Sequence, residues 1–146
     1  MQRLVRWYLK TGIAYLIVGL VLGGTMIVRR EILGAYPSPY WVSAHTHALL
    51  VGFVLMMILG VALWMFPRPE RGDTHFRPGV AEAAYWLVSV STGVRLIGEL
   101  LRAVTAAPWL RWSVAAAGLG QILGLCLFFY NLWPRIRTAG ARVEGK

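Results

Sequence analysis

Four apolar runs organise the chain, at residues 11–28, 43–66, 80–101 and 108–133. A helix crosses the ~30 Å hydrocarbon core of a bilayer with roughly 20 residues, and each run is of about that length. Between the first two lies a stretch with Gly34, Pro37 and Pro39. Between the second and third come Pro67, Pro69, Gly72, Asp73 and Pro78, all turn formers or helix stoppers. The last link, around Thr105-Ala106-Ala107, is very short, and Pro108 suits a first helical turn, where no backbone donor is needed. Short links force neighbouring helices antiparallel. The pattern predicts an all-α fold: one four-helix transmembrane bundle, up-down-up-down, with no room for a soluble domain. The first run lacks a small-residue cleavage pattern and reads as a retained helix rather than a signal peptide.

Composition agrees. The chain is 58% hydrophobic and 14% charged, where a soluble domain carries about 25% charged residues. The net charge of +9 first suggests nucleic acid, but its placement points to topology. Arg3, Arg6, Lys10, Arg68, Arg71, Arg77, Arg135, Arg137, Arg142 and Lys146 fall on one side of the predicted bundle. Arg29, Arg30, Arg102 and Arg111 fall on the other. The excess of basic residues marks the cytoplasmic side, so both termini are expected there, with the chain in the inner membrane, its partner lipid and no nucleic acid. Trp7, Tyr8, Trp64, Tyr85, Trp86, Tyr130 and Trp133 fit an inner aromatic belt, and Tyr36, Tyr40, Trp41, Trp109 and Trp112 an outer one. Cys126 has no cysteine partner and reads as a small apolar packing residue of the fourth helix.

Candidate chemistry concentrates in Ser43-Ala44-His45-Thr46-His47-Ala48, which opens the second helix. Ionisable or metal-ligating groups are costly in hydrocarbon, so this pair is a functional-site candidate. Residues two apart on a helix point about 200° apart, so at most one ring faces the bundle interior. His45 shares its face with Ala48, Leu49, Gly52, Met56 and Gly60, and is the favoured interior ligand. His47 shares its face with Leu50, Val51, Val54, Ile58 and Val61, a surface suited to lipid or a partner. The third histidine, His75, lies past the far end of this helix, roughly 30 Å away at 1.5 Å per residue. A site of three or four histidines within one chain is therefore ruled out. A heme held by one histidine, a site shared between subunits, and a heme with a second, non-histidine ligand such as Met26 all remain open.

Arg95 and Glu99, one turn apart on the third helix, can pair. They lie about 10 and 5 Å inside the outer end, at a depth like that of His45. Arg95, with Arg102 and Arg111 at the rim, could instead take an anionic group such as a heme propionate. Gly52, on the side of His45, is a candidate slot for a flat ligand. Gly19 and Gly23, and Gly120 and Gly124, repeat at the spacing that lets membrane helices approach closely. These stripes exceed the needs of one bundle and suggest a homo-oligomer.

The run His45-Thr46-His47-Ala48-Leu49-Leu50-Val51-Gly52-Phe53, continuing to Leu59-Gly60-Val61 and Met65-Phe66-Pro67-Arg68, resembles the second helix of subunit I of heme-copper oxidases and nitric oxide reductases. It is still more similar to short four-helix proteins related to that subunit, as is Tyr130-Asn131-Leu132-Trp133. The resemblance covers about 25 residues and implies a low-spin heme ligand. The reductase pattern His-Thr-Asn aligns with His45-Thr46-His47 and so falls on His45. The family's other heme and copper ligands lie on later helices that this chain lacks, so a complete oxygen-reducing centre is not expected. The expectation is a heme b protein that binds or converts a diatomic gas, nitric oxide or oxygen, or transfers electrons, with His45 and His47 as candidate iron ligands. A copper-handling protein using the same pair and a non-catalytic accessory subunit of a respiratory oxidase are the alternatives.

Overall fold

Three of the four helices begin on a proline: Pro39, Pro78 and Pro108. A fixed φ and a missing N–H cost nothing in a first helical turn. A computed structural model of the protein describes residues 2–66 and 76–136. The second-to-third connection, with Arg68, Arg71 and His75, and the C-terminal segment from Arg137 lie outside the described residues.

The described chain is all-helical. Helix α1 spans Gln2–Glu31, α2 Pro39–Met65, α3 Pro78–Arg102 and α4 Pro108–Leu132, followed by a 3₁₀ turn at Trp133–Arg135. Helix α1 starts nine residues before its apolar run. Arg3, Arg6 and Lys10 are good helix formers, so the helix continues past the hydrophobic limit. At its other end Gly34 takes φ +62°, a left-handed conformation that a glycine adopts without a Cβ clash, and the turn closes with Ala35 N–H donating to Arg29 O at 2.9 Å. Helices α1, α2 and α4 are long and apolar enough to cross a membrane. Helix α3 is long enough, but its apolar run is broken by Glu82, Arg95 and Glu99.

The middle of α2, Ala48–Leu55, is π-helical, with i→i+5 bonds between two α-helical halves. Eight consecutive apolar or glycine residues carry no periodicity that would announce this.

Two helix pairs make the bundle. Between α1 and α2, glycines on each helix receive side chains from the other: Gly23 lies under His45, Gly52 under Tyr15, Gly12 against Met57 and Gly60 under Tyr8. Residue numbers rise on one helix as they fall on the other, so the two run antiparallel. Helices α3 and α4 repeat this with Gly98 against Val114, Gly118 against Arg95 and Gly124 against Val88. The glycine stripes are thus filled within the chain, so they no longer argue for an oligomer. Gly52 holds the Tyr15 ring and offers no slot for a flat ligand.

Contacts along the whole length of the bundle join the pairs. At the end carrying the N-terminus, Tyr8 meets Tyr85 and Phe128 edge-on, with ring centroids 5.0 and 5.9 Å apart. Tyr8 and Tyr85 are buried core residues rather than belt residues. Midway, Tyr15 Oη donates to Ser89 O at 2.7 Å. At the opposite end Leu22, Ala44, Ala48 and Leu96 form a second apolar cluster. Arg135, expected among the exposed cytoplasmic charges, is buried and donates to Leu63 O and Phe66 O at the end of α2. It satisfies carbonyls that the helix end leaves open. Cys126 is exposed, not packed.

Candidate functional site

His45 and His47 lie in the first α-helical half of α2, before the π segment, so the regular 200° divergence applies. His45 turns to α1. Its Nδ1–H donates to the Gly19 carbonyl at 2.9 Å, and its ring rests where a Gly23 side chain would stand, an ideal Cβ there lying 2.8 Å from Cε1. The acceptor is a carbonyl, so the proton is on Nδ1 and Nε2 carries the lone pair. The ring is half-buried, and its face is buried as expected, with Ala48, Gly52 and Met56 all inaccessible.

His47 turns the other way, toward α3. The expected lipid-facing stripe exists at Leu50, Val54, Ile58 and Val61, but His47 is not part of it. His47 Nδ1–H donates to Ser43 O at 2.8 Å and lies 3.3 Å from Ser43 Oγ. The Ser43 hydroxyl donates to Glu99 Oε1 at 2.8 Å. Arg95 Nε donates to the same oxygen at 3.0 Å, and Arg95 Nη1 reaches Gln121 Oε1 at 3.2 Å. Gln121 Nε2 donates to Thr92 Oγ1 at 3.0 Å. One polar network thus runs from α2 through α3 to α4. Glu99, only 3% exposed, is its centre. Its second oxygen, Oε2, has no hydrogen-bond partner among the described residues and lies 3.8 Å from His47 Nδ1.

Among the described residues neither histidine Nε2 has a hydrogen-bond partner. Both rings are therefore oriented as metal-ligating histidines usually are, with one nitrogen tied to a backbone carbonyl and the other open. They stand on opposite sides of α2 and do not converge. Among the described residues no group of three or more His, Cys, Asp or Glu side chains could hold a metal ion. A one-histidine axial site is compatible with this arrangement; a copper site built on His45 and His47 together within one chain is not.

The remaining candidates separate. Arg95 is occupied by Glu99 and Gln121 and is not a spare counter-charge. Arg102 packs on the Tyr40 ring, its Cζ 4.4 Å from the centroid, and Nη2 donates to Tyr40 Oη at 2.8 Å. Arg111 is exposed and lines the same hollow. Tyr40 is five residues from His45, about 140° round the helix, so both arginines serve the α3 side and not the His45 side. Ser43 is the residue that sequence reasoning missed. Its signal was the i, i+4 spacing to His47.

No protein-family model matches the chain, and comparison with curated proteins and with solved structures found no match.

Proposed function

We propose that this chain is a heme b-binding integral membrane protein of the inner membrane, an up-down-up-down bundle with both termini cytoplasmic, in which His45 Nε2 is the iron ligand. The observation that carries this reading is the His45–Gly19 hydrogen bond at 2.9 Å. It fixes the tautomer that leaves Nε2 free, and Gly23 leaves the space in which the ring lies. Bound heme would supply reversible coordination of a diatomic gas or one-electron transfer, the choice depending on axial ligation and pocket polarity. The chain's own part is to hold the imidazole in one orientation, which Gly19 O does, and to keep its proton on Nδ1. With His45 alone holding it, a bound heme would remain open to a gas such as nitric oxide, or to a ligand from a second copy in a homo-oligomer.

His47 is the second reading. Its Nδ1–H is held by Ser43 in the same way, which supports it as the alternative axial ligand on the α3 side. Absorption spectra decide. Protein expressed with ample heme and purified in detergent should show a Soret band that His45→Ala abolishes and His47→Ala keeps. The reverse pattern moves the ligand to His47. Colourless protein overturns the heme reading, and copper without porphyrin by metal analysis would replace it.

A further inference from the structure

We propose that the hollow at the α3–α4 turn is a binding site for a phosphate-type oxyanion, separate from the His45 site. The cavity, about 300 Å³, is lined by Tyr40, Arg102, Arg111 and the turn residues 103–106. It brings together two guanidinium groups from successive helices and no carboxylate. Among the described residues neither Arg102 nor Arg111 has an ion-pair partner. The tyrosine ring and hydroxyl hold Arg102 in place, so this guanidinium is positioned before any ligand arrives.

Local electrostatics make this concentration of charge informative. Arg111 stands at the start of α4, where the helix dipole already presents positive charge and where anions, not cations, are favoured. The first turn of α4 has no acidic residue, and its N-cap, Ala107, offers no side-chain acceptor. Two arginines with no carboxylate partner among the described residues, beside an uncapped helix start, make this hollow favourable to an anion. An oxyanion with several acceptor oxygens matches the fork geometry of guanidinium groups. The same chemistry is offered by the headgroup phosphate of an anionic lipid in the adjoining leaflet and by a free oxyanion such as inorganic phosphate.

The test uses the full chain. In phosphatidylcholine nanodiscs doped with phosphatidylglycerol, native mass spectrometry counts retained anionic lipid. In neutral detergent, calorimetry follows inorganic phosphate. Selective retention of phosphatidylglycerol identifies the lipid source, a calorimetric phosphate signal the free source, and either supports the site. Arg111→Gln, at an exposed residue with no hydrogen bond to lose, should weaken the responding probe at least fivefold. Arg102→Gln/Arg111→Gln should abolish it. Arg30→Gln, at another arginine on the same side that is already paired with Glu31, should leave it unchanged. Binding of neither probe, full binding by the double variant, or equal loss in Arg30→Gln overturns the proposal. A Soret band, if present, should persist in all three variants, which keeps this outcome distinct from that of the heme reading.

Discussion

An ideal Cβ on Gly23 would stand 2.8 Å from His45 Cε1, whereas one on Gly24 would meet nothing within 4 Å. The two glycines are adjacent in sequence, and only the first is committed to the site. Gly23→Ala should force the imidazole off its seat and cost about 1–3 kcal/mol, the usual range for overpacking. Gly24→Ala should be neutral or gain up to about 1 kcal/mol in helix propensity. Thermal unfolding in detergent checks both, and the Soret band should weaken only in Gly23→Ala. At this scale much was legible. The i, i+4 spacing announced the Arg95–Glu99 pair, and the 200° rule announced that the two histidines diverge. The direction of His47 was not legible, because it depends on where α3 and its Glu99 lie against α2. Nor was the bridging role of Ser43, which depends on α3 lying alongside.

The pitch change belongs to the element scale. Helix α2 must present His45 in its first half, and Met57 and Gly60 in its second, to the same neighbour, α1. The π segment at Ala48–Leu55 sets the register between those halves. A π segment arises when extra residues are accommodated without breaking the helix, and such segments recur at functional sites. Deleting Leu50, which is exposed, removes one residue from this segment. If the π turns set the register, either His45 then leaves Gly23 or Gly60 leaves Tyr8. The deletion should lower the unfolding temperature more than Gly23→Ala does and remove the Soret band. A deletion that keeps both would show the π turns to be incidental. Hydropathy located the helices themselves, since α3 and α4 begin within two residues of their apolar runs. It could not locate the start of α1, because hydropathy marks the membrane core and not the end of the hydrogen-bonded ladder.

At the scale of the whole molecule the question is whether α3 crosses the membrane, for it is not among the helices long and apolar enough to do so by composition. Its charges argue against insertion only when counted in isolation. Glu99 is neutralised by Arg95 and bonded by Ser43, and Arg95 is bonded by Gln121, so the helix carries its cost into an interior where partners wait. Intramembrane ionisable residues are tolerated when they face such an interior. The end contacts give a second argument. Tyr8 near the start of α1 touches Phe128 near the end of α4, so those two helix ends lie on the same side and the number of crossings is even. With α1, α2 and α4 all apolar enough to span, an even number fits the proposed four crossings, and the proposed topology has that side in the cytoplasm. A cysteine-free background, Cys126→Ser, allows the test. Tyr36→Cys, 85% exposed in the α1–α2 turn, should react with a membrane-impermeant maleimide on intact cells. Gln2→Cys and Trp133→Cys should react only after permeabilisation. If Trp133→Cys is labelled from outside while Gln2→Cys is not, α3 does not cross, the Ser43–Glu99 bond cannot form within the bilayer, and the polar network loses its place in the protein.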